Sequence, residues 1–584
     1  MSEMSGGEVI ARMLKAEGIR HLFGIVDGTY LGLCVGLREE EIALISPRHE
    51  TSAAHMAGAY ARLTGGLGVC MASNGPGAAN LLPGIAVEQG EGNRVLAITS
   101  SRRTGITGPE RGGTYQYFDQ TGVIGKMAKW SERVPSFERL AERLRAALRA
   151  SWEGRPGVVH LDVPEDVMNG RVKADLTFWE PARYRRTAAL PPPDDQLDQA
   201  TDWLLTADRP VLHAGSGVIH AGAFEELRAV AELLRAPVTT SWGGRAAIAE
   251  TSEVAFPMIH VELVNEIRSQ ADLVLALGSR LGETDWWGKA PYWGSSRKQR
   301  LIQVDQDGQV LGANKPADLP VLAEVRVFLR RLHERLLARQ GEIPSAKRNK
   351  SLEGYRAERA KARRKLDAAL GDRSGPMNSG HVAAECRQFF GDDAILVADG
   401  GNAAVWANFY HEVRKPNTLL STFKFGMLGA GCAQALGAAV ARPQAPVYCI
   451  TGDGAMGFHS QEVETAVRNR LTPIYLVLCD RQWGMVKMNQ QFALKPLKTL
   501  LLKSLKADET INTDLGEIRF DLLAQSMGAH GERVSEPDQL RPALERSRAS
   551  GKCAVIHVDV NPVSHMWAPG LLHFKDMHQE PKGE

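Results

Sequence analysis

Short apolar runs, each closing on glycine or a polar turn and each followed by a stretch with helical spacing, recur along all 584 residues. His21-Leu22-Phe23-Gly24-Ile25-Val26, Ile42-Ala43-Leu44-Ile45, Gly68-Val69-Cys70-Met71 and Val95-Leu96-Ala97-Ile98 form a first set. A strand that is apolar at every position, rather than at alternate ones, must be covered on both faces, and strands separated by helices are joined by crossovers. Few folds meet both conditions besides an open parallel sheet with helices on each side. Pro210-Val211-Leu212-His213-Ala214-Gly215, Leu273 to Gly278 and Leu301 to Asp305 form a second set; Ala394 to Asp399, Pro446 to Ile450 and Ile474 to Leu478 form a third. The expected fold class is therefore α/β, with three doubly wound parallel-sheet domains at residues 1–180, 190–340 and 375–570.

Pro181 to Asp195, which contains Pro191-Pro192-Pro193, reads as the first linker. The charged stretch from Ala338 to Pro376 reads as a helical connector, because acidic residues interrupt its basic ones. With 70 basic and 68 acidic residues, the formal net charge of +2 supplies no field that would recruit nucleic acid or an anionic membrane. The seven cysteines form no CxxC pair and mostly sit in apolar runs, as buried thiols do. The chain opens on polar Met1-Ser2-Glu3, and nowhere do about 18 uncharged apolar residues run together, so a cytoplasmic protein without membrane contact is expected.

The chemistry concentrates in Thr451-Gly452-Asp453-Gly454-Ala455-Met456-Gly457-Phe458, which follows a strand and precedes a helix. The next strand ends at Cys479-Asp480, 27 positions beyond Asp453. Ligands of open parallel sheets bind at the carboxyl ends of strands, and two carboxylates emerging there suit a hard divalent cation shared with a phosphate. A lone Gly-Asp-Gly is also an ordinary tight turn. Glu50, after Pro47-Arg48-His49, closes another strand before the helix from Thr51 to Leu63, where a carboxylate could equally be a helix-terminal charge.

Taken together, Gly452-Asp453-Gly454 with Cys479-Asp480-Arg481-Gln482-Trp483-Gly484-Met485-Val486, and His49-Glu50 with Ala54-His55-Met56-Ala57 and Gly75-Pro76-Gly77-Ala78-Ala79-Asn80, resemble the acetolactate synthase family of thiamine-diphosphate enzymes. The resemblance implies a pyrimidine-binding N-terminal domain, a central domain and a diphosphate-binding C-terminal domain. It assigns Mg²⁺ to Asp453, Asp480 and the carbonyl of Gln482, with aspartate at 480 where the family has asparagine. Cofactor contacts fall by likeness on Glu50, Pro76, Asn80, Asn402, Met427, Leu428, Gly452, Asp453, Gly454, Ala455, Met456, Asp480, Gln482, Trp483, Gly484 and Met485. Glu50 would hydrogen-bond the aminopyrimidine, and Leu428 would wedge the cofactor into a bent form.

For the substrate side, Gly28 falls where acetolactate synthases have glycine, Tyr115-Gln116 resembles their Phe-Gln pair, and Asn489 stands where they carry a tryptophan, beside Met485. Catalytic roles are thus expected for Glu50, Gln116 and Gly28, and a pocket from Tyr115, Gln116, Met485 and Asn489. The substrates implied are a 2-keto acid and a carbonyl acceptor, in a homodimer or homotetramer whose sites lie between subunits. Gly215-Ser216-Gly217, Gly278-Ser279-Arg280 and Asp305-Gln306-Asp307 resemble the places that hold FAD, which makes FAD a candidate second cofactor. Lys495, Lys498, Lys503 and Lys506 belong to a lid over an anionic substrate or to a solvated helix. A 2-hydroxyacyl-CoA lyase or oxalyl-CoA decarboxylase, a simple 2-keto-acid decarboxylase and a non-catalytic regulatory relative are the alternatives. Gly215 to Gly222 misses the GxGxxG spacing of a nicotinamide dehydrogenase.

Overall fold

The computed structural model describes residues 2–374 and 376–571; residues 1 and 375, where two of the expected domains begin, lie outside them. Three six-stranded sheets carry the fold. The N-terminal sheet runs, edge to edge, Ala43–Ile45, His21–Gly24, Gly68–Ala72, Val95–Ser101, Val158–Pro164, Trp130–Arg133, all parallel. The C-terminal sheet repeats this order with Leu419–Leu420, Ile395–Ala398, Val447–Gly452, Ile474–Cys479, Ala554–Asp559 and His530–Val534. The inner strands are buried along their whole length, Val95–Ser101, Val158–Pro164 and Ile474–Cys479 among them, as strands covered on both faces must be.

The central sheet is wound differently. Its order is Ala255–Phe256, Val238–Thr240, Pro210–Ala214, Leu273–Leu277, Arg300–Asp305, Leu319–Leu322, or 3-2-1-4-5-6 in chain order. That is the order of dinucleotide-binding sheets, whose crevice opens where strand 1 meets strand 4. A small antiparallel pair, Ser2–Ser5 with Arg171–Ala174, closes the N-terminal domain and has no counterpart in the sequence reading.

The charged connector is more than a solvated spacer. It forms the helix Ser345–Ala368, docked on the central domain. Buried Arg348 donates to the carbonyls of Leu234, Leu204 and Ala207, and Arg359 donates to that of Ser252. Their partners come from chain segments over 100 residues away, which charge patterning cannot reveal.

Two contacts lock the domains to one another. Helices Glu50–Thr64 and Ala430–Ala441 approach so closely that a Cβ at Gly437 would lie 2.3 Å from the Met56 carbonyl oxygen. Between the central and C-terminal domains, Arg245, 1% exposed, grips buried Glu250 at 2.6 and 3.0 Å. It also donates to the carbonyl oxygens of Asn408 and His411 at 2.6 and 2.8 Å, while Glu250 accepts from the Val413 amide at 2.9 Å. Removing one partner of a buried ion pair strands the other charge, at a cost of about 3 to 5 kcal/mol. Arg245→Met should therefore lower the thermal midpoint by several degrees in differential scanning calorimetry, with Arg245→Met/Glu250→Leu recovering much of the loss.

Candidate active site

Strands Val447–Gly452 and Ile474–Cys479 lie side by side with Gly452 paired to Leu478, so Asp453 and Asp480 leave the same end of neighbouring strands. Asp453 Oδ1 accepts from the Gly454 amide and Oδ2 from the Arg481 amide, both at 2.8 Å. Asp480 is buried, and among the described residues its Oδ2 has no hydrogen-bond partner; His565 Nε2, whose imidazole burial keeps neutral, is 4.0 Å away. Burial pushes both carboxyls up, to about 6, and the charge of Asp480 adds to the rise at Asp453. A desolvated carboxylate pair with no cation between its members is a site that gains from one.

Asn402 opens the helix Asn402–Tyr410, is 4% exposed, and has both amide atoms unpaired. A Cβ at Gly484 would lie 2.7 Å from Asn402 Nδ2 and 3.2 Å from Asp480 Oδ2, which brings Asn402, Asp480 and Gly484 to one point. The ring of Trp483 covers Gly454, where a Cβ would come within 2.6 Å. The Gln482 carbonyl accepts from the Gly484 amide at 2.9 Å, leaving one lone pair for a metal, and its side chain donates to the Pro562 carbonyl at 2.8 Å. Ala455 and Met456 are buried, and Met456 packs its sulfur on Cys432, so that side chain is turned into the core. Half-buried Met427 and Leu428 precede Gly429, whose φ of +85° and close packing on Phe458 require glycine.

A residue the sequence reading passed over organises this wall. Asp399, at the end of strand Ile395–Ala398, accepts from the amides of Gly400, Gly429 and Gly431 at 2.6, 3.2 and 3.1 Å. Burial pushes its carboxyl up to about 6 as well. Its position, a strand-terminal aspartate before Gly400-Gly401-Asn402, was the available signal.

The N-terminal half-site is built on two helix starts. Glu50 begins the helix Glu50–Thr64, behind His49, whose Nδ1 accepts from the Thr51 amide at 3.2 Å. Its Oε2 accepts from Asn80 Nδ2 at 3.1 Å, and the Thr51 hydroxyl donates to the Asn80 carbonyl. Pro76 begins the helix Pro76–Glu91, after Gly75 at φ +61°. The Gln116 carbonyl accepts from Asn74 at 3.0 Å, which seats the Tyr115-Gln116 loop beside Pro76. The Gln116 side chain is exposed, Tyr115 is 73% exposed, and Gly28 opens an exposed turn with its carbonyl accepting from Asn169 at 3.0 Å. Buried Gln120, not singled out from the sequence, holds the Gly75 amide at 2.9 Å and donates to Asp162 at 2.7 Å.

Three groupings thus form: Glu50 with Asn80, Gln116 with Asn74 and Gly75, and Asp453 with Asp480, Asn402 and Gly484. Among the described residues no hydrogen bond or ion pair joins Glu50 to Asp453 or Asp480. Asn489 is exposed on the helix Gly484–Leu494. Lys495 and Lys498 both bind Glu509, at 2.6 and 2.5 Å.

Residues 4–123 match the family described as the N-terminal thiamine pyrophosphate binding domain of thiamine pyrophosphate enzymes, 197–332 their central domain and 399–558 their C-terminal thiamine pyrophosphate binding domain. The acetolactate synthase large subunit of Corynebacterium glutamicum is 30% identical over 97% of this chain and 88% of its own length. That of isozyme 3 from Escherichia coli is 27% identical over 97% and 96%. The "Probable acetolactate synthase large subunit" of Methanocaldococcus jannaschii is 29% identical over 96% and 92%. The chain belongs to the thiamine pyrophosphate enzymes, in the acetolactate synthase family.

For a thiamine pyrophosphate enzyme the residues present suit the cofactor: the unpaired amide of Asn402 and the unpaired Asp480 oxygen face the space that glycine at 484 keeps open. Gly484→Ala should weaken thiamine diphosphate binding in the presence of Mg²⁺ about tenfold or more, by displacing groups that orient the ligand. Isothermal titration calorimetry measures this, and an unchanged affinity would mean that Asn402 and Asp480 do not face the cofactor.

Proposed function

We propose that this chain decarboxylates a pyruvate-like 2-keto acid with thiamine diphosphate and joins the retained fragment to a second carbonyl compound, as the names of its acetolactate synthase relatives describe. The observation that carries this reading is that one chain holds both the Glu50–Asn80 pair and the Asp453, Asp480, Asn402 cluster, the residues that the family likeness assigns to the two halves of a thiamine site. A regulatory relative without turnover has no need of a carboxylate at Glu50.

When bound, the cofactor supplies a nucleophilic carbon and an electron sink, and the protein positions it. Asp453, Asp480 and the Gln482 carbonyl would hold Mg²⁺, with Gly452 to Gly454 and Asn402 around the diphosphate. Glu50 would hold the pyrimidine end: Asn80 occupies Oε2, leaving Oε1 to accept and return a proton. Met427 and Leu428 would support the cofactor between its ends. The exposed side chain of Gln116, with no hydrogen-bond partner among the described residues, can donate to a substrate carbonyl from the loop held by Asn74. Asn489 and Met485 would line the acceptor side, where a short amide leaves more room and polarity than a tryptophan ring would.

Among the described residues no hydrogen bond or ion pair ties Glu50 to the aspartates, and a second copy in a homodimer or homotetramer is the natural source of the facing half. Exposed Val26, Leu31 and Tyr115 beside one half, and Phe458 and Val486 beside the other, support such a cover.

A second ligand is favoured by the central cavity, about 790 Å³ in volume, where Gly215, Ser216, Gly278 and Asp305 mark the carboxyl ends of strands 1, 4 and 5. Its place at the switch point of a 3-2-1-4-5-6 sheet suits a nucleotide, and FAD is the candidate for this family. The adenosine diphosphate end of a CoA ester would fit the same chemistry, as in the lyase alternative.

The deciding experiment is turnover of purified protein with thiamine diphosphate, Mg²⁺ and pyruvate, products being read by mass spectrometry. Wild type should release CO₂ and form acetolactate; Glu50→Gln should bind the cofactor and lose at least about a hundredfold in rate. Absence of pyruvate consumption with intact cofactor binding would redirect the search to CoA esters or larger keto acids.

A further inference from the structure

One loop touches both ligand sites. Thr422 to Gly429 carries Lys424 into the central cavity, and three and four residues further on it carries Met427 and Leu428, which the family likeness assigns to thiamine diphosphate. At most about 3.6 Å per residue, three residues separate the two by no more than about 11 Å of chain.

Lys424 sits in an unusual place for an ammonium group. It donates to Ser216 Oγ at 2.8 Å and to the Glu91 carbonyl at 3.1 Å, both neutral oxygens. The Glu91 carboxylate is engaged instead by the backbone amides of Lys424 and Phe425, at 2.7 and 3.0 Å. Among the described residues no carboxylate forms an ion pair with Lys424. Burial pushes the ammonium down to about 7, against the opposing pull of Glu91. Arg94 and Arg155 line the same cavity from the N-terminal domain and are pushed down to about 10 by the same desolvation. His220 adds a buried Nε2 with no partner on the cavity wall. Seven lysine and arginine side chains from all three domains line this space against four carboxylates, Glu283, Asp285, Asp305 and Glu324, and that excess of positive charge suits an anion.

The loop is tight enough to transmit what happens at Lys424. Its first turn is closed by the Gly426 amide on the Thr422 carbonyl at 2.7 Å, and the Thr422 hydroxyl donates to the Met427 carbonyl at 3.2 Å. Its far end, Gly429, is held by Asp399 beside Gly400 and Asn402. We propose that Lys424 anchors the diphosphate of a nucleotide in the central cavity, and that its loop couples occupancy of that cavity to the grip of Met427 and Leu428 on thiamine diphosphate. This rests on the nucleotide reading of the cavity. Coupling between two bound ligands is reciprocal, so each must change the affinity of the other by the same factor.

The test uses the full-length protein with FAD as probe, followed by flavin fluorescence, and with ADP as the shorter probe, followed by calorimetry. Lys424→Met should weaken nucleotide binding tenfold or more, and Lys424→Arg should restore most of it, which separates lost charge from lost fold. In the wild type, saturating nucleotide should shift the dissociation constant of thiamine diphosphate with Mg²⁺ several-fold, and Lys424→Met should abolish that shift. Equal nucleotide affinity in wild type and Lys424→Met would overturn the anchor while leaving the nucleotide site standing. A thiamine diphosphate affinity indifferent to nucleotide would overturn the coupling alone. If neither FAD nor ADP binds the wild type, both the inference and the nucleotide reading fall.

Discussion

Two carboxylates held out of water at the ends of adjacent parallel strands set the terms for the rest of this molecule. A parallel sheet directs its strand ends to one side, so Asp453 and Asp480 cannot avoid each other, and burial raises the cost of charging both. The surrounding groups distribute that cost: backbone amides of Gly454 and Arg481 serve Asp453, while Asp480 keeps one oxygen free. Glycine at 454 admits the Trp483 ring, and glycine at 484 admits Asn402. A cation and an anionic ligand would complete this arrangement electrostatically.

The three sheets divide the work by their winding. The outer domains share the order 2-1-3-4-6-5 and each carries one group of the candidate site residues at its strand ends; the central sheet, wound 3-2-1-4-5-6, opens a crevice suited to a nucleotide. Rigid joints keep these surfaces in register. The Met56–Gly437 approach joins the outer domains, and the Arg245–Glu250 pair, with its carbonyl partners at Asn408 and His411, joins the central domain to the C-terminal one. The loop through Lys424 is the place where all three meet, since its partners Glu91 and Ser216 lie in the other two domains.

What could be read from the chain alone has a physical boundary. Inner strands such as Ile474–Cys479 are apolar at every position because both faces are covered, so they stand out in any sequence window. Edge strands do not: Leu419–Leu420 has two residues and Trp130–Arg133 is half-exposed and polar, held by backbone pairing that leaves no apolar signature. The same boundary divides the site. Asp453, Asp480 and Glu50 sit at junctions of strand and helix that local pattern marks. Asp399 and Gln120 matter through hydrogen bonds to Gly429 and Gly75, dozens of positions away; the strand end before Gly400-Gly401-Asn402 marks Asp399, whereas nothing near Gln120 in the chain announces its role.

The amino-acid sequence by itself determined the α/β architecture, the repeated strand-to-turn motifs and the family whose cofactor they bind, because apolar runs and turn residues act over a few neighbouring positions. Only the tertiary structure decided which winding each sheet adopts, that Met456 faces the core and Lys495 and Lys498 face Glu509, and that a lysine from one domain enters a cavity of another. Those outcomes depend on which desolvated charge or unpaired amide finds a partner across space, and such partners are chosen by packing between distant segments rather than by adjacency along the chain.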